Sequence, residues 1–329
     1  RDFCLSRGLG DVYKRQSINR AISSALMQDF KCLEVVVVDD ASSDRTGDLA
    51  SLWEHNPRFR YIRNATNLGR VKNYRHALEA CAQSEWVLML DGDDYLTDPG
   101  FISKAMSQAG EVSGDSLVMI QAGHRVMFET EDKASVDILP DFPEPSRLMP
   151  GSAYLNFVYE TGFFTHLGTL FKRQQALDMG CYTADISSTD MEGLLRLALE
   201  GEVLLINGIA GCWVQHGKNA SSNLDFNDVL ANVRLFRTLA HYASKRGHIS
   251  MQKINPALTT YEANTLASLF FSTLANKPIS PLRLLRMVQI AFKVNPRLLF
   301  RRKIQASLYH YSKKSIKHII HTKLARTRR

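Results

Sequence analysis

The fold is decided by Trp86-Val87-Leu88-Met89-Leu90-Asp91-Gly92-Asp93-Asp94. Its first five residues are apolar, the character of a strand buried on both faces of a parallel sheet. Three carboxylates follow within four positions. In open α/β sheets, ligands lie outside the carboxyl ends of the strands. Three acids at such an end repel one another unless a cation sits among them. A hard divalent cation is held by one or two carboxylates together with substrate phosphates. The stretch therefore reads as a metal–diphosphate site. It reads equally well as a polar turn, because Asp and Gly are common turn residues.

A second stretch repeats the design. Leu33-Glu34-Val35-Val36-Val37-Val38 is a β-branched run, and Asp39-Asp40-Ala41-Ser42-Ser43-Asp44 follows it. Two acids end the run, and Ser and Asp then supply an N-cap for a helix. Two strands of one sheet that deliver acids at the same end are poorly explained as two separate turns.

The order Val-Val-Asp-Asp-Ala-Ser-Ser-Asp, then Asn67-Leu68-Gly69, then Leu-Asp-Gly-Asp-Asp resembles the nucleotide-sugar domain of the family 2 (GT-A) glycosyltransferases, over about residues 17–217. The resemblance implies an α/β fold of the GT-A, Rossmann-like type, a mostly parallel sheet with helices on both faces. It implies a hexosyltransferase that moves a sugar from a nucleotide-sugar, expected to be a UDP-sugar, to a glycan or lipid-linked acceptor with inversion. It also implies a divalent metal, Mg²⁺ or Mn²⁺, and a place in bacterial surface-polysaccharide assembly.

The site residues follow position by position. Asp91, Asp93 and Asp94 match the family's Asp-X-Asp metal motif, Asp91 also facing the nucleotide-sugar. Sequence alone does not choose the direct ligand; Asp93 is favoured, then Asp94. Asp40 matches the acid that accepts a hydrogen bond from the uracil ring N–H, which suits an acceptor-only carboxylate. Asp39 is expected to orient the loop. Asn67, Gly69 and Lys72 lie where the family contacts the nucleotide, although Lys72 reads equally well as a solvated helix lysine. An acceptor hydroxyl is a weak nucleophile and needs a general base. Ser188-Thr189-Asp190-Met191-Glu192 resembles the family's Glu-Asp segment, which assigns the base to Asp190. Thr189 stands where the family has an acid, and Glu192 is the second candidate. Acids are also favoured at helix N-termini for stability alone. His216 stands where some members place a histidine near the diphosphate or metal, although a lone histidine is more often structural. His166 is a weaker candidate for the acceptor side.

Periodicity supplies the rest of the chain. Helices are expected over residues 17–28, 44–54, 70–82 and 188–200, and after Asp98 with Pro99 in the first helical position. Strands are expected over 60–62, 117–121, 125–128, 203–206 and 212–214. Residues 129–152 hold four prolines and read as a long loop. Everything from Asp225 onward reads as helix. Residues 1–16 (RDFCLSRGLGDVYKRQ) have no strand period and look like translated linker sequence. They are expected to be a non-native segment in place of the first strand, which would then be absent. The expected domains are residues 17–222 and a helical basic region, 223–329.

The 329 residues carry 41 Lys and Arg against 33 Asp and Glu, a net charge of +8. The charge is uneven. No acid follows Glu262, and 15 of the basic residues lie in 277–329, so residues 1–262 hold 26 basic and 33 acidic side chains, net −7. Leu282, Leu285, Val288 and Phe292 alternate with Arg283, Arg286, Lys293 and Arg297, which suits an anionic membrane surface. The expected location is cytoplasmic, at the inner face of the membrane. Clustered basic charge is also the footprint of nucleic-acid binding, but no nucleic-acid motif accompanies it; a solvated helical surface is the third reading. A non-catalytic nucleotide-binding protein is the remaining alternative, because the first strand reads as missing. Five scattered cysteines, odd in number and without metal spacing, argue against a disulfide framework.

Overall fold

The computed structural model describes residues 2–7, 14–81, 83–129, 134–216, 219 and 226–275, with a few single positions beyond. The chain divides into two compact units. The first comprises residues 1–158 and 163–223, and the second 159–162 and 224–329.

The first unit is built on a ten-stranded sheet. In chain order its elements are β1 (Asp2–Arg7), α1 (Lys14–Leu26), β2 (Glu34–Asp39), α2 (Thr46–Ser51), β3 (Phe59–Arg63), α3 (Arg70–Ala80), β4 (Trp86–Asp91), β5 (Tyr95–Leu96) and α4 (Phe101–Glu111). They continue with β6 (Leu117–Phe128), β7 (Val136–Ile138), β8 (Ser146–Pro150), α5 (Gly151–Thr161, of which 159–161 belong to the second unit), β9 (Thr169–Lys172), α6 (Arg173–Asp178), α7 (Thr189–Ala198) and β10 (Glu202–Gln215). The strand order is β3-β2-β1-β4-β9-β6-β10-β5, with β7 on β6 and β8 on β10. Strands β3, β2, β1 and β4 are parallel neighbours, whereas β9 runs antiparallel between β4 and β6. After β1 the chain moves to one side for β2 and β3, then crosses back to the other for β4. That reversal makes the carboxyl ends of β1 and β4 the switch point where such sheets bind ligands.

The valines of β2 and the apolar run of β4 are buried on both faces, as their sequences require. Val35, Val37, Leu88 and Leu90 pack with Ile18, Ile22 and Leu26 of α1 and with Phe101 and Ile102 of α4. Alternation turns Val36, Val38, Val87 and Met89 to the opposite face. Burying these side chains contributes roughly 1.5–3 kcal/mol apiece before entropy is counted.

Four sequence expectations are corrected. The first strand is present: β1 pairs with β2 from Asp2↔Glu34 to Arg7↔Asp39 and with β4 from Phe3↔Leu88 to Ser6↔Asp91. Six residues are too short a window for a period to be read, and the place is specified by the two flanking strands. Residues 117–128 form one strand, as do 202–215, where Gly208 (φ 153°) and register shifts between Ile206 and Gly211 bend the ladder without ending it. The proline-rich stretch carries two short edge strands, β7 and β8; Pro150 closes β8, an edge place that proline tolerates. Helix α4 starts at Phe101, so Pro99 precedes it, and Asp98 accepts the Gly100 N–H at 2.9 Å.

In the second unit, α8 (Phe226–Lys245) and α9 (Met251–Ala275) form a helical pair, in keeping with the helical periodicity. Tyr159, Phe236 and Tyr261 stack in its core, and Arg237 forms a two-pronged ion pair with fully buried Glu262. Among the described residues no helix is long and apolar enough to cross a membrane. The basic tail lies outside the described residues, apart from single positions.

Candidate active site

The sheet register brings the acids together. Asp39 ends β2 and Asp91 ends β4, on either side of β1, where they pair with Arg7 and Ser6. The turn after β4 then carries Asp93 and Asp94. Asp93 is part-exposed, and its Oδ2 lies 2.9 Å from Nε2 of His216, just past β10. The two residues are 123 positions apart in sequence. Asp94 is buried and accepts the Val214 N–H at 2.9 Å, which ties the turn to β10. Asp91 accepts the Tyr74 hydroxyl at 2.5 Å. Burial, with Asp93 beside it, pushes the Asp91 carboxyl up to about 7. Burial raises Asp94 well above the usual carboxylate range, with Asp93 and Asp91 adding to it. Three carboxyls crowded at a part-open edge thus resist full ionisation, a strain that a cation beside them would relieve.

Among the described residues no three His, Cys, Asp or Glu side chains converge as a ready-made metal cage. Asp93, with His216 beside it, nevertheless fits a divalent ion, because such an ion takes one or two carboxylates and completes its shell with phosphate oxygens and water. Asp91 and Asp94 are turned to protein donors and shape the turn around that pair.

At the end of β2 both acids are buried and bonded within the protein. Asp39 accepts the Ser42 N–H at 3.0 Å and the Tyr61 hydroxyl at 2.7 Å, so it orients the loop that follows. Asp40 accepts the Leu68 N–H at 2.7 Å, the Gly69 N–H at 2.9 Å and Asn64 Nδ2 at 2.9 Å. Its carboxylate is therefore spent largely on holding the 67–69 turn. Asn67 donates to the Asp40 carbonyl at 3.1 Å, and Gly69 stands at φ 83° at the head of α3, a conformation that favours glycine. Lys72 is exposed on α3.

On the opposite wall, Asp190 sits in the first turn of α7, where it makes no hydrogen bond or ion pair with the described residues. Glu192 is two-pronged to Arg196, at 2.9 and 3.1 Å, with both side chains largely covered. Only Asp190 of these two is open to a substrate. Asp190 acts electrostatically on Arg70, Tyr74, Asp91 and His166, so it faces the acid cluster. His166 bonds the Tyr182 hydroxyl at 2.8 Å and meets the Tyr74 ring edge-on. Tyr182 is buried at φ 59°, a strained conformation for an aromatic residue.

Two of these residues were not singled out from sequence. Tyr74 lies on the apolar stripe of α3 and reads as core, and it is buried, but its hydroxyl reaches Asp91. Arg70 opens α3, and its guanidinium donates to the Ser187 and Ile186 carbonyls ahead of α7.

Residues 12–171 match the family model described as glycosyl transferase family 2. Over that stretch the chain is similar to family 2 glycosyltransferase domains. The domain has the GT-A fold, and the candidate site sits at the switch point of its sheet. The chain is 30% identical over 174 residues to the succinoglycan biosynthesis protein ExoO of Rhizobium meliloti, covering 50% of this chain and 49% of that one. It thus spans about half the length of the curated relatives it matches. Among solved structures, Staphylococcus aureus TarS 1–349 in complex with UDP superposes with a TM-score of 0.66 at 16% identity, covering 98% of this chain and 92% of that one. The mannosyltransferase PcManGT of Pyrobaculum calidifontis, in complex with GDP-Man and Mn²⁺, gives a TM-score of 0.50 at 17% identity, over 96% and 87%. Likeness at these identities speaks for the shared fold.

Proposed function

We propose that this glycosyltransferase domain transfers one sugar from a UDP-sugar to a glycan or lipid-linked acceptor, with inversion, in the assembly of a bacterial surface polysaccharide. The observation that carries this reading is that an unpaired carboxylate, Asp190, faces a turn of three acids in which Asp93 meets His216. One group serves the acceptor and the other the leaving diphosphate. The naming of a related chain as a succinoglycan biosynthesis protein supports the polysaccharide context.

In the proposed reaction Asp190 takes the proton from the acceptor hydroxyl. The acceptor oxygen bonds to the anomeric carbon as the bond from that carbon to the diphosphate breaks, and the nucleoside diphosphate leaves. Asp93 and His216 would hold a divalent ion, which would supply positive charge beside the departing phosphates. Asp91 and Asp94 keep the turn in place through Tyr74 and Val214. The nucleotide lies against the 67–69 turn, which Asp40 braces from beneath. Asp40 therefore acts on base recognition through the turn it holds, and any direct contact with uracil is left to its one uncommitted lone pair on Oδ2.

A donor screen for metal-dependent nucleoside diphosphate release tests the reading. Release from a UDP-sugar with Mn²⁺ or Mg²⁺, abolished by chelation, is expected. Nucleotide binding without turnover on any donor and acceptor would make this a binding protein.

A further inference from the structure

Arg70 is the first residue of α3, immediately after Gly69. Its Nη2 donates to the Ser187 carbonyl at 2.5 Å and to the Ile186 carbonyl at 3.4 Å, 116 or more positions along the chain. Its guanidinium also lies 5.6 Å from the centre of the Tyr74 ring, whose hydroxyl donates to Asp91. No carboxylate of the described residues lies within ion-pair distance of it, in contrast to Arg45, Arg60, Arg75, Arg125 and Arg196. Asp190, Asp91 and the Tyr74 oxygen nevertheless favour its charge, against the opposing effect of burial.

The segment that Arg70 grips leads into α7. Residues 183–188 belong to no strand or helix. The hydroxyl of Thr189 is buried without a partner. The approach to the helix is held from α3 through the Ile186 and Ser187 carbonyls.

We propose that Arg70 is the positioning residue for the acceptor base: by clamping the carbonyls of residues 186 and 187 to α3, it sets Asp190 against the Asp91–Asp93 turn. The inference rests on Asp190 being that base. The same side chain covers Tyr74, so the wall that presents Asp91 and the wall that presents Asp190 share one anchor. A misplacement of about 1 Å in such a group costs on the order of 10²-fold in rate.

The test compares the full chain with Arg70→Ala, Arg70→Gln and Arg70→Lys. Hydrogen exchange of the 186–192 amides reads the clamp without any reaction, and faster exchange is expected in Arg70→Ala and Arg70→Gln. With the UDP-sugar and acceptor that the donor screen identifies, kcat for transfer should fall about 10²-fold, while the Kd for UDP with Mn²⁺ stays within about twofold. Arg70→Lys should recover only part of the rate, because a point ammonium cannot reproduce the planar fork. Unchanged exchange at 186–192 overturns the clamp, whatever the activity. A Kd that rises in step with the loss of kcat makes Arg70 a donor-binding group and overturns the inference. If exchange changes as expected but Asp190→Asn transfers normally, the clamp stands as geometry and the assignment of the base falls. Should Arg70→Ala fail to fold, Arg70→Gln and Arg70→Lys give the same readings.

Discussion

At the residue scale, the acids of the site have separate tasks. Asp93 is the part-exposed acid beside His216. Asp93→Asn should abolish metal-dependent turnover and leave thermal unfolding unchanged; retained turnover at saturating Mn²⁺ would remove Asp93 from the site. Asp190→Asn should lower kcat by about 10²–10⁴-fold, the usual range for a general base, and leave nucleotide affinity alone. Glu192→Gln should behave in the opposite way. It strips Arg196 of a two-pronged partner, so stability should fall by about 1–3 kcal/mol, while transfer by the folded fraction persists. Chemical denaturation read together with kinetics separates the two carboxylates, and a rate loss in Glu192→Gln with normal rates in Asp190→Asn would exchange their roles. The site's two walls were legible in the sequence because Asp-rich strand ends and an acidic helix start are local patterns. The internal commitments of Asp40 and Asp94 were not. Apart from Asn64 Nδ2, their partners are backbone N–H groups at Leu68, Gly69 and Val214, and a backbone donor leaves no mark in the residue at its position.

At the element scale, the long strands β6 and β10 join the sheet's far half to the site. His124 on β6 is buried, and burial lowers its pKa to about 4. An unfolded chain has this imidazole near its ordinary value of about 6.5. Between those values the unfolded chain binds a proton that the fold excludes. The contribution of His124 is thus fully present above pH 6.5 and is lost as pH falls towards 4, by about 3 kcal/mol in all. Denaturation at a series of pH values should show that slope in the wild-type protein, with a shallower one in His124→Gln; identical slopes would refute it. On β10, a Cβ at Gly211 would lie 2.4 Å from the Tyr95 carbonyl of β5. Gly211→Ala should therefore push β5 away and disturb the neighbouring turn at Asp93 and Asp94, with about 1–3 kcal/mol of lost stability. An unchanged melting temperature would show that β5 yields freely. The sequence split both long strands in two, because the glycines at 123 and 208 interrupt the apolar pattern. Pairing with neighbours carries the ladder across them.

At the scale of the whole molecule, the charge divides as well as the fold. The acid-free stretch after Glu262 carries 15 basic residues, whereas residues 1–262 are net acidic. Each basic side chain near an anionic surface contributes about 1 kcal/mol. The protein should therefore bind anionic vesicles and not neutral ones, more weakly as salt rises, and deletion of residues 277–329 should release it. Equal binding to both kinds of vesicle, or to neither, would leave that region as a packing surface. The sequence by itself determined the α/β class, the family motifs and the strand ends that bear the acids, since these depend on local apolar runs and on residue types at short spacing. Only the tertiary structure decided that Asp2–Arg7 forms the central strand, because a strand held between two others is specified by their ladders more than by its own six residues. Only the structure brought His216 to Asp93 across 123 positions and Arg70 to Ser187 across 117. Contacts of that kind are created by the order of strands in the sheet, and no window of sequence contains both partners.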